Sequence, residues 1–168
     1  MGSETNERQR QPPFDRWPVG HFDAHYGYAW YCGKGLIVSH LTTRHGTETA
    51  AVAYHDFEES VLATHAREIA ENRGLFVIHD WRKMQTYDPG ARRVWQARMQ
   101  ARPKGYLRGS IVCVSKAGPL LRMAVQAANL VASVAHGAKV ELCTDLDAAL
   151  REHRVVPPGA SRTMPKLV

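Results

Sequence analysis

The sequence predicts a mixed α/β domain, with a sheet of about five to six strands and about four helices packed on it. Three observations lead there. Leu75 to Trp81, an apolar run ending in Asp80 and Trp81, and Tyr106 to Val114 have the length and pattern of strands buried on both faces. Helix-spaced segments with marked ends alternate with these runs, which calls for parallel neighbours joined by right-handed crossovers. A chain of 168 residues, 44% hydrophobic and 23% charged, suits one globular domain with a sizeable core.

Residues 1–21 are polar and proline-rich, with Pro12, Pro13 and Pro18 beside Gln9, Arg10 and Gln11. They offer too little apolar surface to offset their ordering entropy and are expected to form a flexible arm before a folded part over 22–153. Tyr28 to Cys32, Gly35 to Leu41 and Glu48 to His55 are short and rich in aromatic and β-branched residues, with turn signals at Gly33 to Gly35 and at His45 with Gly46. They are expected as an antiparallel start of three strands, although Glu48 to His55 has a second reading as a backward extension of the first helix. That helix is expected from an N-cap at Asp56, with Glu59 at the capping-box spacing, through Val61, Leu62, His65 and Ile69 to a stop at Asn72 and Gly74.

After the strand at Leu75 to Trp81, Asp88 is placed to cap and Pro89 to open a second helix, whose Ala91, Val94, Trp95 and Met99 form an apolar stripe ended by Pro103 and Gly105. A strand at Tyr106 to Val114, a third helix at Pro119 to His136 closed by Gly137, a strand at Ala138 to Thr144 and a short helix from Asp145 complete the order. Residues 154–168, with Pro157, Pro158, Gly159 and Pro165, are expected to be a flexible tail.

Bulk properties exclude several classes. The longest apolar run, Leu120 to Ala135, is interrupted by Arg122, Gln126, Asn129 and Ser133 and falls short of the roughly 20 apolar residues that cross a bilayer. Met1 to Gln11 lacks the charged, apolar, small-residue order of a secretory signal. Cys32, Cys113 and Cys143 are an odd number at wide spacing and suit reduced core thiols, so a cytoplasmic location is expected. His21 with His25 and His40 with His45 have no carboxylate or cysteine cluster to complete a site, so no metal is expected. No nucleophile elbow is present and Gly33-Lys34-Gly35 is too short for a phosphate loop, so neither catalysis nor a cofactor is expected. The residual catalytic candidate is His79 and Asp80 beside Cys113 at neighbouring strand ends, the edge where open α/β sheets place ligands.

Val77-Ile78-His79-Asp80-Trp81, a short loop, then Tyr87-Asp88-Pro89-Gly90-Ala91 opening a helix resembles the signature region of STAS domains. Ile111 to Val114, the apolar third helix and Thr144-Asp145-Leu146-Asp147-Ala148-Ala149-Leu150 are similar to later parts of that family, especially its SpoIIAA-like bacterial branch. The resemblance spans roughly residues 35–152 and implies a STAS/SpoIIAA-like mixed sheet. It also implies a regulatory role like that of anti-sigma-factor antagonists. The chain departs from the family where the phosphorylated serine would stand, because Pro89 has no hydroxyl. A phosphoswitch at that position is therefore excluded, leaving Asp88 as a helix cap and Asp80 as a strand-end carboxylate.

Charge adds a surface. Between Arg82 and Arg108 there are eight basic residues against the single acid Asp88, within a chain of net charge +6. Arg92 and Arg93 lie off the apolar stripe, so the second helix is expected to present a basic face. The resulting expectation is a non-catalytic protein-interaction module that contacts an acidic protein through Asp80, Arg82, Lys83, Asp88, Arg92, Arg93 and Arg98. No motif that interleaves aromatic and basic residues supports nucleic-acid binding. On the third helix, Arg122, Gln126, Asn129, Ser133 and His136 form one narrow polar stripe, leaving a wide apolar face that includes Leu121, Met123, Val125, Leu130 and Val134. Its excess over what a sheet covers is a candidate for a homodimer contact, or for a small-ligand or lipid-binding SEC14-like carrier as the alternative function.

Overall fold

The computed structural model describes residues 26–115, 119–156 and 166–167. β1 (Gly27–Gly33) and β2 (Leu36–Leu41) form an antiparallel hairpin whose turn places Lys34, at φ 50°, between two glycines. Three further strands, β4 (Leu75–Asp80), β6 (Leu107–Cys113) and β7 (Lys139–Cys143), extend β2 in parallel, giving a mixed five-stranded sheet in the order β1-β2-β4-β6-β7. Two-residue strands β3 (His45–Gly46) and β5 (Thr86–Tyr87) pair with each other at the side.

The connections are α1 (Glu48–Thr64) and α2 (Ala66–Glu71) between β2 and β4, α3 (Pro89–Ala101) between β4 and β6, and α4 (Pro119–His136) between β6 and β7. α5 (Leu146–Glu152) follows β7. Each crossover steps to the next strand in the same direction, so right-handed connections put α1, α3 and α4 on one face of the sheet. α3 lies between α1 and α4. Alternation along the strands then separates two cores. Ile37, Leu75 and Val77 pack with Tyr54, Phe57, Met99 and Ala132 from the helix layer. Trp30, Val38, Ile78, Ile111 and Cys113 face the other way, under Leu146, Ala149 and Leu150 of α5.

The sequence signals mark most boundaries. Asp88 accepts a hydrogen bond from the Gly90 N–H at 2.7 Å with Pro89 in the first helical position, and Asp145 caps α5 by accepting from Ala148. Gly137, at φ 68°, turns the chain out of α4. Gly74 is required sterically: at φ 108°, a Cβ would stand 2.6 Å from the Gly105 carbonyl.

Two expectations are corrected. Glu48 to His55 is not a third strand: its second reading, as a backward extension of the first helix, is the one observed, and Asp56 lies inside α1. The cap is Thr47, whose hydroxyl accepts from the Ala50 N–H, and Ala50, Tyr54, Phe57, Glu58 and Val61 recur on the buried side at helical spacing. Cys113 and Cys143 are joined in a disulfide, not held as free thiols, because parallel register makes them direct partners on one face; only Cys32 is free and buried. The expectation of a reducing compartment loses that support. On α4 the polar stripe does not face solvent as a unit. Asn129 accepts the Val140 N–H at 2.8 Å and His136 donates from Nε2 to the Met99 carbonyl at 2.9 Å, while Met123, Leu130 and Val134 are exposed.

The tail expected over 154–168 contributes β8 (Val155–Val156) and β9 (Lys166–Leu167), which pair antiparallel. The arm expected over 1–21 lies outside the described residues. No described helix is long and apolar enough to cross a membrane.

Candidate functional site

The C-terminal edge of the parallel strands carries two different constructions, one on each face. On the α5 face, register aligns His40, Asp80, Cys113 and Cys143 in a row across β2, β4, β6 and β7. His40 donates from Nδ1 to Asp80 Oδ2 at 2.7 Å, since a carboxylate can only accept. Arg82 closes on the same carboxylate from Nε at 2.8 Å, from Nη2 at 3.0 Å and from its backbone N–H at 3.2 Å. Burial alone raises the Asp80 pKa, but the hydrogen bonds from His40 and Arg82 outweigh it and hold the carboxyl at about 2. Asp80, 1% exposed, is thus a saturated buried anion.

On the helix face the same strand ends bound an unfilled chamber. Ser39 and His79, one residue before His40 and Asp80, point there and share a hydrogen bond of 2.7 Å between Oγ and Nδ1. Tyr54 stacks on Trp95 at 5.2 Å between centroids, and Trp95 meets His79 at 5.3 Å and Trp81 at 5.6 Å edge to face. Trp81 also meets Tyr87 at 6.2 Å. These rings stand between two lobes, of about 30 Å³ toward Gly46 and Met84 and about 60 Å³ toward α4. The larger lobe exists because α4 presents Ala124, Val125 and Ala128 there, side chains too small to reach the rings.

Besides the tyrosines, the polar side chains at the larger lobe are Glu58, His79 and Ser110, and the smaller lobe adds Ser39 and Thr47. Glu58 accepts from Nδ1 of His55 at 3.0 Å. Burial, with the charge of His55 adding to it, takes His79 down to about 3, so its ring is neutral at physiological pH. Burial likewise pushes the Tyr54 and Tyr106 phenols well above their usual range.

The residues singled out from sequence fall into separate places. Asp80 and Arg82 bond each other, and Asp88 is the cap of α3. Arg98 pairs with Asp56 at 3.0 Å and with Glu59, tying α3 to α1. Lys83, Arg92 and Arg93 are exposed. Val125 is buried against the chamber, and the side chain of Leu121 lies outside those described. Sequence reasoning missed Tyr54, Trp81, Tyr87 and Tyr106 as walls of one space. The available signal was the run of rings between Trp81 and Tyr106 opposite alanines of α4. Among the described residues no three His, Cys, Asp or Glu side chains converge as metal ligands.

Comparison with protein-family models, with curated proteins and with solved structures finds no match to this chain.

Proposed function

We propose that the domain binds a small, neutral, apolar molecule in the chamber between α3, α4 and the sheet, without transforming it. The observation that carries this reading is the unfilled space walled by Tyr54, Trp81, Tyr87, Trp95 and Tyr106 and floored by small α4 side chains. Concave apolar sites with a few polar groups are the usual form of a small-molecule site. The strand order supports the location. Because the crossovers all step one way, the sheet has no switch-point crevice between its parallel strands, and a ligand finds room inside the helix layer.

Binding is favoured over catalysis by the chemistry of the one nucleophile–base pair in the chamber. Ser39 and His79 are within reach of each other, but a ring with a pKa of about 3 is too weak a base to activate a hydroxyl at neutral pH. Native mass spectrometry of the intact protein, purified under non-denaturing conditions, tests the proposal. An adduct of uniform mass, lost on Ala128→Leu, supports it; no adduct, or one indifferent to that substitution, counts against it.

A second reading, the regulatory interaction module suggested by the STAS resemblance, draws on Arg92 and Arg93. Both are exposed in the N-terminal half of α3, where the helix dipole disfavours cations. Charges that gain nothing within the fold are available to an acidic protein. Capture of such a partner by the wild type, lost in Arg92→Glu with Arg93→Glu, supports this reading, and undiminished capture by the double variant excludes that surface.

A further inference from the structure

We infer that α4 is a self-association surface, through which two copies of this chain pair antiparallel about a two-fold axis. The outward side of α4 carries the most exposed large apolar residues described: Met123 at 63%, Leu130 at 66% and Val134 at 78%. With the half-buried Ala127 they recur at intervals of four, three and four, the spacing of a continuous helix–helix seam. On an 18-residue helix, about 27 Å long, that seam runs over three turns.

The seam is complementary to itself. In an antiparallel pair with the axis between residues 128 and 129, Met123 meets Val134 of the second copy, and Leu130 meets Ala127. The large side chain at each inner position then stands over the small one, which lets the helices approach closely. Charge points to the same occupant. The chain carries a net charge of +6, so most of its surface repels a copy of itself, yet Arg122 is the only residue of α4 that is always charged, and the helix carries no acid. An anionic lipid surface is a poorer fit, because interfacial helices flank their apolar face with several lysines or arginines.

Strand addition is hindered at the same edge. β7 is the last strand of the sheet, but the Val140 N–H is taken by Asn129 and the Ala138 N–H donates to the Ala132 carbonyl at 3.2 Å. The helix face therefore offers a second copy a better contact than the edge strand. A helix pair of this length buries less than about 1,200 Å², so the dimer should be weak, with a dissociation constant on the order of 10 µM.

Sedimentation velocity of the full chain between about 1 and 200 µM brackets that affinity. The expected result is a weight-average mass rising from 18.8 kDa toward twice that value. Leu130→Glu should weaken association about tenfold or more without changing the urea midpoint, because Leu130 is exposed. Mixing Leu130→Glu with Ala127→Lys should restore a mixed dimer, since the two positions meet across the axis. A monomer throughout the range, or a dimer indifferent to Leu130→Glu, overturns the inference. So does a monomer that pairs only after removal of residues 1–25, which would assign the face to that segment, or one that pellets with phosphatidylglycerol vesicles through Leu130.

Discussion

The two faces of the sheet's C-terminal edge are built from adjacent residues and come out opposite in character. Ser39 and His79 face a chamber with unfilled space, while His40 and Asp80, one position on, face a cluster in which Asp80 is fully committed. Strand alternation assigns each residue to its side. The difference lies in what packs above. On one side α5 brings Leu146, Ala149 and Leu150 down onto the strands, and Arg82 closes over the carboxylate. On the other, rings from α1 and α3 lean on one another, opposite alanines of α4 that stop short of them. At this edge one face is filled, and the other has room for something else.

The largest expected effect lies on the closed face. Asp80→Ala leaves His40 and Arg82 directed at a buried position without its carboxylate, and should cost about 3 kcal/mol. Equilibrium urea unfolding checks this as a lower midpoint at an unchanged slope.

Next is the pH response of the open face. The folded pKa of His79 is about 3 against 6.5 for the free side chain, so the unfolded chain takes up a proton first as the pH falls. Its contribution is fully present well above pH 6.5 and is lost progressively toward pH 3, by about 3 kcal/mol at pH 4.5. His79→Phe should flatten that part of the stability profile, and an unchanged slope would assign it to another group.

Filling the chamber should do little to stability and much to binding. Ala128→Leu places a larger side chain into the 60 Å³ lobe and should change stability by less than about 1 kcal/mol while excluding ligand. Thermal unfolding with and without ligand separates the two effects. The smallest expected change is in Arg92→Glu with Arg93→Glu, within about 0.5 kcal/mol by urea unfolding, because both side chains are exposed.

Much of the fold was legible because its boundaries are local chemistry: Asp88-Pro89, Gly137 and Asp145 fix helix ends whatever the tertiary context. Glu48 to His55 misled because Val52 and Tyr54 read as strand residues, whereas the cap at Thr47 and the buried spacing through Val61 decide for helix. The disulfide was not legible, since it depends on the register that pairs Cys113 with Cys143. The chamber was hidden for a similar reason. Trp95 and Met99 could be read as one helix stripe, but the space beside them is set by alanines some thirty residues later in the chain. Asn129, read only as part of a polar stripe, serves an edge strand that sequence periodicity does not reveal.

The contrast between the faces is most directly tested by following the indole N–H signals of the protein by nuclear magnetic resonance under increasing pressure of xenon, a neutral apolar probe small enough for the larger lobe. Trp81 and Trp95 line the chamber, whereas Trp30 is buried on the α5 face and serves as an internal reference. Saturable shifts are expected at Trp81 and Trp95, none at Trp30, and loss of the response in Ala128→Leu. Shifts spread equally over these three of the protein's four indole signals, no saturation, or a response that survives Ala128→Leu would contradict the contrast between the faces.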